Sequence, residues 1–379
     1  MTRPIIPLFK VYMSPRVDEP LLKTIHSGWV GEGPKVKEFE KALSKKFNNP
    51  YCLTLSAGTH GLHLALVLAG VTPYYFNRMS VVTSPLSCFA TSSPILAQGA
   101  DIIWADIDPD SLNIDYKSIK EKISKCGKSK TAAIMVMHWG GYPCDMEEIS
   151  EIAKDYNIPV IEDAAHAYGS SYHNHLIGDC YYSDFAMISL QAIKHLNTCD
   201  GGILFCKKES HYEQGKLLRW YGIDRESPRQ DLRCEGDIGR AGWKYHMNDV
   251  CATIGLVNME DVDDNITIAQ RNANYYRNEL MDFSGVTLLQ NKIDRFSSYW
   301  LFTILVENRM EFARKMAESG IMVSRVHERN DKHSCVFTYK CDLPNLDSII
   351  NKMICLPVGY WVTKEDREYI VSKIKEGWE

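Results

Sequence analysis

The sequence predicts an α/β protein with a mostly parallel central sheet covered by helices on both faces. Short apolar runs, such as residues 81–84 and Thr131–Met137, alternate with stretches of helical periodicity, such as Phe89–Ala97. Short runs of this kind suit buried strands, and strands separated by helices form units with parallel strands. The runs at residues 158–161 and 185–188 each end in polar side chains. Because the carboxyl ends of parallel strands carry the chemistry in such folds, we expect the functional site there.

The elements can be assigned from local patterns along the chain. Apolar residues at helical spacing predict an amphipathic helix over residues 35–47. Asp145 and Glu148 form a capping pair that predicts the start of a helix ending near Tyr156. The other predicted strands cover residues 51–55, 81–84, 101–105, 131–137, 158–161, 185–188 and 201–206, and the other predicted helices cover residues 89–97 and 118–124 and stretches ending near 69 and 221.

The pattern changes in the second half of the chain. Residues 224–240 are rich in charge and poor in apolar anchors, which predicts a mobile exposed loop. A helical section over residues 248–280 leads into a region with a strand at 300–306 and helices at 309–319 and Lys364–Lys375. We therefore expect an N-terminal segment and large domain over 1–247, a connecting helix over 248–284 and a small C-terminal α+β domain over 285–379.

Composition excludes several classes of protein. The chain is 45% hydrophobic and 24% charged with a net charge of -5, and its pI is about 6.2. A nucleic-acid binder usually carries a basic face and a high pI. Residues 1–10 do not resemble a secretory signal, and no apolar run approaches the ~20 residues that span a bilayer. We expect a cytoplasmic protein without nucleic-acid or membrane partners.

The twelve cysteines are scattered and form no CxxC pair. Disulfide frameworks and zinc sites both depend on tight, repeated spacing, so free thiols are expected. No HExxH motif occurs either, and the sequence predicts no metal site.

Asp163, Ser189 and Lys194 are expected to meet at the carboxyl edge of the sheet. Asp163 and Ser189 follow the two apolar runs, and Lys194 comes five residues after Ser189. An acid, a hydroxyl and a primary amine suit pyridoxal phosphate. Its aldehyde forms a Schiff base with lysine, its ring nitrogen needs an acid, and its phosphate needs hydroxyls and N–H groups. The sequence therefore predicts a cofactor site with Lys194 as the catalytic residue.

Each of these residues also has an ordinary structural interpretation. Lys194 can be an exposed lysine at a helix start, and Asp163 can cap the end of a strand. His166 can reach the phenolic oxygen of the cofactor or be a buried structural histidine. Phe89 can stack on the cofactor ring or belong to the core.

Residues 56–61 form a turn of small residues between a predicted strand and a predicted helix. Gly58 allows close approach of the backbone, and the free N–H groups of the first helical turn can face a phosphate. Ser56 can equally be a simple helix cap.

Taken together, these motifs resemble the DegT/DnrJ/EryC1/StrS family of sugar aminotransferases. The similarity runs over nearly the whole chain, and the motifs occur in the order and at the separations found in that family. They lie at residues 6–8, 27–34, 39–40, 56–59, 106–115, 162–167, 178–179, 189–202, 242–255 and 356–357.

The resemblance implies a fold of three layers, helices on a sheet on helices, as in the fold type I transferases that use pyridoxal phosphate. It implies a homodimer whose active sites are shared between subunits. The cofactor would be bound covalently to Lys194 and would alternate with pyridoxamine phosphate. Asp163 would pair with the ring nitrogen and His166 with the phenolic oxygen. Phe89 would stack on the ring, while Thr59 and Ser189 would hold the phosphate.

The reaction implied by the resemblance moves an amino group from L-glutamate to a keto-sugar. The acceptor would be nucleotide-linked, of the kind that gives 4-amino-4,6-dideoxyhexoses for surface polysaccharides. Lys194 would also carry the proton between two carbon atoms, because it is held within reach of both.

The chain departs from the family pattern in two places. Many relatives have an asparagine at the position of Lys244, where it reaches the cofactor phosphate of the neighbouring subunit, and a lysine can keep that contact as a point charge. Residues 326–333 replace a shorter histidine motif that faces the sugar. His327 and Arg329 can read a phosphate or carboxylate on the acceptor, or belong to a plain surface loop.

Trp29 lies in the glycine-rich loop over residues 27–34. Such a loop can present one large side chain to a substrate, or the tryptophan can pack on the core. We assign Trp29, His327 and Arg329 to the substrate.

The sequence leaves three other functions open. Some members of the fold carry histidine in place of the lysine and dehydrate a sugar, and His195 directly follows Lys194. The spacing from Ser189 favours the lysine and hence aminotransfer. The second is an aminotransferase for a keto-sugar acid without a nucleotide. The third is a regulatory protein that binds the cofactor without turnover.

Overall fold

The computed structural model describes residues 3–71, 79–228, 231 and 234–378. The strands are β1 Cys52–Leu55, β2 Ser80–Thr83, β3 Asp101–Trp104, β4 Thr131–Met137, β5 Val160–Asp163, β6 Ser171–Tyr172, β7 His175–Leu176, β8 Phe185–Ser189, β9 Gly202–Cys206, β10 Val286–Leu288, β11 Arg295–Phe296, β12 Phe302–Val306 and β13 Met353–Leu356. The helices are α1 Asp18–Ile25, α2 Pro34–Phe47, α3 Gly58–Leu68, α4 Phe89–Ala97, α5 Tyr116–Cys126, α6 Met146–Tyr156, α7 Glu209–Leu218, α8 Asp249–Asn258, α9 Val262–Leu280, α10 Arg309–Glu318, α11 Pro344–Ile349 and α12 Lys364–Lys375.

A seven-stranded sheet in the order β1-β9-β8-β5-β4-β2-β3 forms the centre of the protein. The pairs from β8 through β5, β4 and β2 to β3 are parallel. Strand β9 runs antiparallel to both β1 and β8. Every strand of this sheet except β9 therefore points the same way, which confirms the predicted mostly parallel sheet.

Alternate residues of the central strands enter two different cores. Met135 and Ile161 pack into one cluster with helix α3, whereas Val136 and Val160 pack into another with helix α2. Side chains of a strand alternate between faces, so these clusters lie on opposite sides of the sheet. The result is the three-layer α/β arrangement expected from the sequence.

A smaller three-stranded sheet, β10-β12-β13, is built from the C-terminal part of the chain. It shares a third hydrophobic cluster with α9, α10 and α12. The predicted helical section over 248–280 is divided into α8 and α9. Strand β12 begins at Phe302, so Trp300 precedes the strand in which it was expected.

The predicted capping pair at Asp145 is wrong. Asp145 precedes α6, but its carboxylate makes no capping hydrogen bond with a described residue. It pairs instead with Arg295 at 2.6 Å and Lys292 at 3.1 Å. A capping box does occur at α12, where Thr363 and Asp366 bond to each other's backbone. The charge of a buried arginine outweighed the local capping pattern.

The predicted loop over residues 224–240 is exposed at every position that the structure describes. Positions 229, 230, 232 and 233 lie outside the described residues. No helix in the described part of the chain has both the length and the apolar character that crossing a membrane requires.

Candidate active site

The candidate site lies at the carboxyl ends of β5 and β8. Asp163 is the last residue of β5 and Ser189 the last of β8, and the two strands pair with Asp163 opposite Met187. Lys194 lies in the turn that follows β8, where its backbone N–H donates to the carbonyl of Gln191 at 2.8 Å. The parallel register therefore directs all three residues to one edge of the sheet.

The carboxylate of Asp163 is buried, with 3% of the residue exposed. Its Oδ2 accepts a 2.6 Å hydrogen bond from Thr91 and its Oδ1 accepts from the backbone N–H of Ala165 at 3.1 Å. Burial raises the pKa of Asp163, while the two hydrogen bonds and the positive charge of Lys194 act in the opposite direction. A cationic group placed against this carboxylate would favour its charged form.

Lys194 is half-buried, and its Nζ lies 3.6 Å from the centre of the Trp300 ring. Burial lowers the pKa of the amine from 10.5 to about 8, and the charge of Asp163 acts to raise it. Roughly a tenth of the amine is therefore uncharged at pH 7, far more than for an ordinary lysine, and this is the form that attacks an aldehyde. Asp163 and Lys194 each shift the pKa of the other, so they face one site.

His166 and His327 form a pair of nearly parallel rings beside Lys194. Their ring centres are 5.8 Å apart with an interplanar angle of 11°. Burial and the charge of Lys194 lower the pKa of His166 well below its usual value and that of His327 to about 4. The Nδ1 of His166 and the Nε2 of His327 are buried without a hydrogen-bond partner among the described residues. Two neutral imidazoles thus offer free polar atoms to a bound molecule.

The turn before α3 has the form of an anion site. Helix α3 begins at Gly58, and no described side chain caps its first N–H groups. A Cβ added to Gly58 would lie 3.3 Å from Ser189 Oγ, so glycine lets the turn approach the hydroxyl. Thr59 is partly exposed at this end of the helix. Ser56 is not the cap, because its hydroxyl lies 2.9 Å from His60 Nδ1.

Phe89 begins α4 and is partly exposed. Its ring meets His333 edge-to-face, with centres 5.1 Å apart. Asn330 joins the same two segments, because its side-chain amide donates to Ser87 Oγ at 3.0 Å and to Ser92 Oγ at 2.8 Å. Phe89 therefore lies at the edge of the core, where residues 330–333 hold it in position.

The structure does not group Trp29 and Lys244 with the residues around Lys194. Trp29 is 62% exposed, so it is not packed on the core. It lines a cleft of about 820 Å³ together with Lys216 and Trp220, and the described lining includes neither Asp163 nor Lys194. Lys244 is exposed and pairs through its backbone with Trp220.

Arg329 is buried and fully engaged within the chain. Its guanidinium forms two 2.7 Å hydrogen bonds with Asp331 and also pairs with Asp347. This pairing raises the pKa of Arg329 despite its burial. The geometry favours a structural role for Arg329, whereas His327 has a buried ring nitrogen, Nε2, without a hydrogen-bond partner among the described residues.

Residues 13–375 match the DegT/DnrJ/EryC1/StrS aminotransferase family. The match covers nearly the whole chain. The chain belongs to this family. It is therefore an aminotransferase, which confirms the activity favoured from the sequence over dehydration and over a purely regulatory role.

Solved structures and curated relatives of this aminotransferase agree with that assignment. AtS13 from Actinomadura melliaura is 40% identical, with a TM-score of 0.93 over 99% of this chain and 100% of that one. The sugar aminotransferase CalS13 from Micromonospora echinospora is 36% identical, with a TM-score of 0.93 and the same coverage. GDP-perosamine synthase from Escherichia coli O157:H7 is 29% identical over 92% of this chain and 95% of its own length.

Membership of the family implies dependence on pyridoxal phosphate. The residues of this aminotransferase fit that cofactor. The Lys194 amine has a lowered pKa, the buried Asp163 carboxylate faces the same site, and the Nδ1 of His166 has no partner among the described residues. The uncapped first turn of α3 provides N–H groups for a phosphate.

Among the described residues, no group of three or more His, Cys, Asp or Glu side chains is arranged to hold a metal ion.

Sequence reasoning missed three residues that shape this site: Thr91, Trp300 and Asn330. Thr91 lies on α4 and holds Asp163 across 72 positions of sequence. Trp300 donates to the carbonyl of Ile193 across 107 positions. A threonine in a helix and a tryptophan before an apolar strand both resemble ordinary core residues, so the sequence contained no local signal for either.

Proposed function

We propose that the chain binds pyridoxal phosphate through a Schiff base at Lys194 and transfers an amino group from L-glutamate to a nucleotide-linked keto-sugar. The proposal includes a homodimer acting in the cytoplasm and a role in supplying amino sugars for polysaccharides. The observation that carries it is a lysine of lowered pKa and a buried carboxylate that lie at the carboxyl edge of one sheet and influence each other electrostatically. The relatives' names support the acceptor, since one is called a sugar aminotransferase and another is named for a GDP-linked product.

The roles of Lys194 and Asp163 follow from their surroundings. When bound, pyridoxal phosphate supplies a ring that accepts the electron pair left as the substrate loses its α-proton. Asp163 would keep the ring nitrogen protonated, with its own charge stabilised by Thr91 and the N–H of Ala165. Lys194 would carry the proton between two carbons, because its pKa of about 8 allows both protonation states near neutral pH.

The phosphate and the ring would be held by the elements around α3 and α4. Gly58, Thr59 and Ser189 would bind the phosphate at the uncapped start of α3. Phe89 would stack on the ring, and the free Nδ1 of His166 would meet the phenolic oxygen.

His327 would contact the acceptor sugar. Its Nε2 is buried without a described partner, and the low pKa of about 4 keeps the ring neutral at working pH. A neutral imidazole can donate to or accept from a sugar hydroxyl, and it does not attract an anion. We therefore assign His327 to a hydroxyl or the keto oxygen, in place of the phosphate or carboxylate expected from the sequence.

The homodimer is supported by apolar side chains left exposed near the N-terminus. Leu22, Ile25 and Val30 are 56%, 44% and 50% exposed, and Trp29 lies beside them in sequence. Several large apolar side chains exposed within one short segment suit a protein interface. If a partner subunit covered this region, Trp29 of one subunit and Lys244 of the other would lie near a shared site, in keeping with the resemblance to the family.

The function can be tested with a panel of acceptors. The holoenzyme would be incubated with ¹⁵N-labelled L-glutamate and keto-sugars linked to UDP, GDP or dTDP, and with free keto-sugar acids. We expect ¹⁵N in one nucleotide-linked amino sugar, detected by mass spectrometry, together with 2-oxoglutarate. A variant with the exposed Lys120 changed, Lys120→Ala, should retain the activity. Labelling of only the free acids would contradict the nucleotide-linked acceptor, and labelling of no sugar would contradict the proposed substrate class.

A further inference from the structure

We infer that Trp300 is a positioning residue for Lys194, holding its amine at the site whenever that amine is not bonded to the cofactor. The inference rests on the proposed function, in which Lys194 must both join the cofactor and leave it in every cycle. A lysine side chain has many rotamers, so a freed amine stays in place only if something holds it.

The indole of Trp300 contacts both the backbone and the amine of the lysine turn. Its Nε1 donates a 2.8 Å hydrogen bond to the carbonyl of Ile193, the residue before Lys194. The Nζ of Lys194 lies 3.6 Å from the centre of the same ring. The Nζ makes no side-chain hydrogen bond or ion pair with the other described residues, and the Trp300 ring face contacts it directly. Withdrawing an ammonium even partly from water without a partner is costly, and an aromatic face reduces that cost.

Trp300 is itself held firmly, with 5% of the residue exposed. The ring of His166 stacks on it at 3.8 Å between centres, and that of Phe9 at 5.0 Å. The neighbouring Ser298 is fixed by a 3.0 Å hydrogen bond from its backbone N–H to Ser170 Oγ. A ring supported in this way can act as a fixed platform for the amine.

The groups that act on the Lys194 amine come from several elements. Asp163 on β5 and Cys88 before α4 favour its charged form. Three histidines face it as well, at positions 166, 195 and 327, and the amine lowers the pKa of each. These histidines are neutral near pH 7, because burial keeps each pKa low. The Trp300 face therefore adds to Asp163 in retaining the ammonium, and loss of the ring should lower the pKa of the amine.

The test follows the reaction of cofactor-free protein with pyridoxal phosphate, measured as the rate of appearance of visible absorbance at a series of pH values. The midpoint of this profile reports the pKa of the free Lys194 amine. In Trp300→Leu we expect the midpoint to fall by about one pH unit. Trp300→Phe keeps a ring face but loses the bond to Ile193, so its midpoint should stay near that of the wild type while its rate falls. Trp378→Leu, far along the sequence, serves as the control.

A second version of the test avoids substitution. All eight tryptophans can be replaced biosynthetically by fluorinated analogues, which weaken the ring face while preserving its shape and N–H. The midpoint should then fall stepwise with the number of fluorine atoms. An unchanged or raised midpoint in the fluorinated protein would overturn the inference, because fluorination weakens the ring face without exposing the amine to water. Failure of the proposed function gives a different result, since wild-type protein would then bind no cofactor or aminate no sugar.

Discussion

The side-chain amide of Asn330 donates a 2.8 Å hydrogen bond to the Oγ of Ser92, joining two segments 238 positions apart. The same amide reaches Ser87 Oγ at 3.0 Å, and Asn330 is completely buried. Phe89 lies between these two serines in sequence and meets His333 edge-to-face. One asparagine therefore connects the segment at 326–333 with the start of α4, where the cofactor ring is proposed to stack.

Replacing this asparagine should destabilise the fold and weaken cofactor binding. Asn330→Leu leaves the buried hydroxyls of Ser87 and Ser92 without their donor, which costs about 1–3 kcal/mol in the free energy of unfolding. Urea denaturation measures this loss. Asn274→Leu, at an exposed position of α9, should change stability by less than about 0.5 kcal/mol. Equal stability of the two variants would show that the amide does not hold these segments together.

The hydrogen bond from Thr91 should control how well Asp163 binds the cofactor. In the wild type the 2.6 Å hydrogen bond from Thr91 lowers the pKa of the Asp163 carboxyl. Thr91→Val removes this bond, so the pKa of Asp163 should rise and less of the carboxyl should be charged. A hydrogen bond to a charged group contributes roughly 1.5–3 kcal/mol, so affinity for pyridoxal phosphate should fall about tenfold to a hundredfold. Equilibrium titration of cofactor-free protein gives the affinity.

Thr91→Ser is the matched control for this change, since it keeps the hydroxyl and should bind the cofactor nearly as well as the wild type. Wild-type affinity in Thr91→Val would mean that Asp163 does not act on the cofactor through this bond.

The buried amine of Lys194 should reduce stability at neutral pH. Its pKa is lowered from 10.5 to about 8, so between these values the unfolded chain binds more protons and wild-type stability rises with pH. Below about pH 8 the amine is charged in both states and the cost of burying it is fully present. Cofactor-free Lys194→Met should therefore be more stable than the wild type at about pH 7, by a margin that shrinks toward pH 10.5.

The difference in stability between Lys194→Met and the wild type can be measured by urea denaturation at about pH 7 and at about pH 9.5. Lys120→Met, at an exposed position of α5, should show no pH-dependent margin over the wild type. If the Lys194→Met margin stayed constant over this range, the lowered pKa would be wrong.

His327 should act on the acceptor and not on the donor. In His327→Phe the ring still stacks on His166 but the free Nε2 is lost. Loss of a hydrogen bond to a sugar oxygen should reduce kcat/KM for the keto-sugar about fivefold to a hundredfold, while the half-reaction with glutamate changes less than about twofold. Stopped-flow measurement separates the two half-reactions. The exposed His173, outside the proposed dimer interface, provides the control His173→Phe, and an equal fall in both half-reactions would contradict the assignment.

The sequence predicted those parts of the site that depend on local pattern. Asp163 and Ser189 could be placed because parallel strands end at one edge of a sheet, and Gly58 because a strand, a turn of small residues and a helix occur in succession. The alternating strands and helices likewise defined the layers of the fold. These features can be predicted from a few neighbouring residues together with the direction in which the strands run.

The remaining features depend on contacts between distant parts of the chain. The carboxylate of Asp145 was expected to cap α6, but Arg295, from a much later part of the chain, draws it away. Arg329 was expected to face the substrate, whereas Asp331 and Asp347 neutralise it internally. Trp300 reaches the lysine turn only after the C-terminal part of the chain has packed against the large sheet. Local sequence patterns do not predict which charged or aromatic side chain from a distant part of the chain will contact these residues.

The most direct test of the account is to identify the lysine that bonds to the cofactor. Cofactor-free protein would be mixed with pyridoxal phosphate, reduced with borohydride and digested, and the labelled peptide identified by mass spectrometry. We predict visible absorbance before reduction that fades when glutamate is added, a single adduct at Lys194, and neither absorbance nor adduct in Lys194→Ala. An adduct on a different lysine, or the same absorbance in Lys194→Ala, would contradict the account.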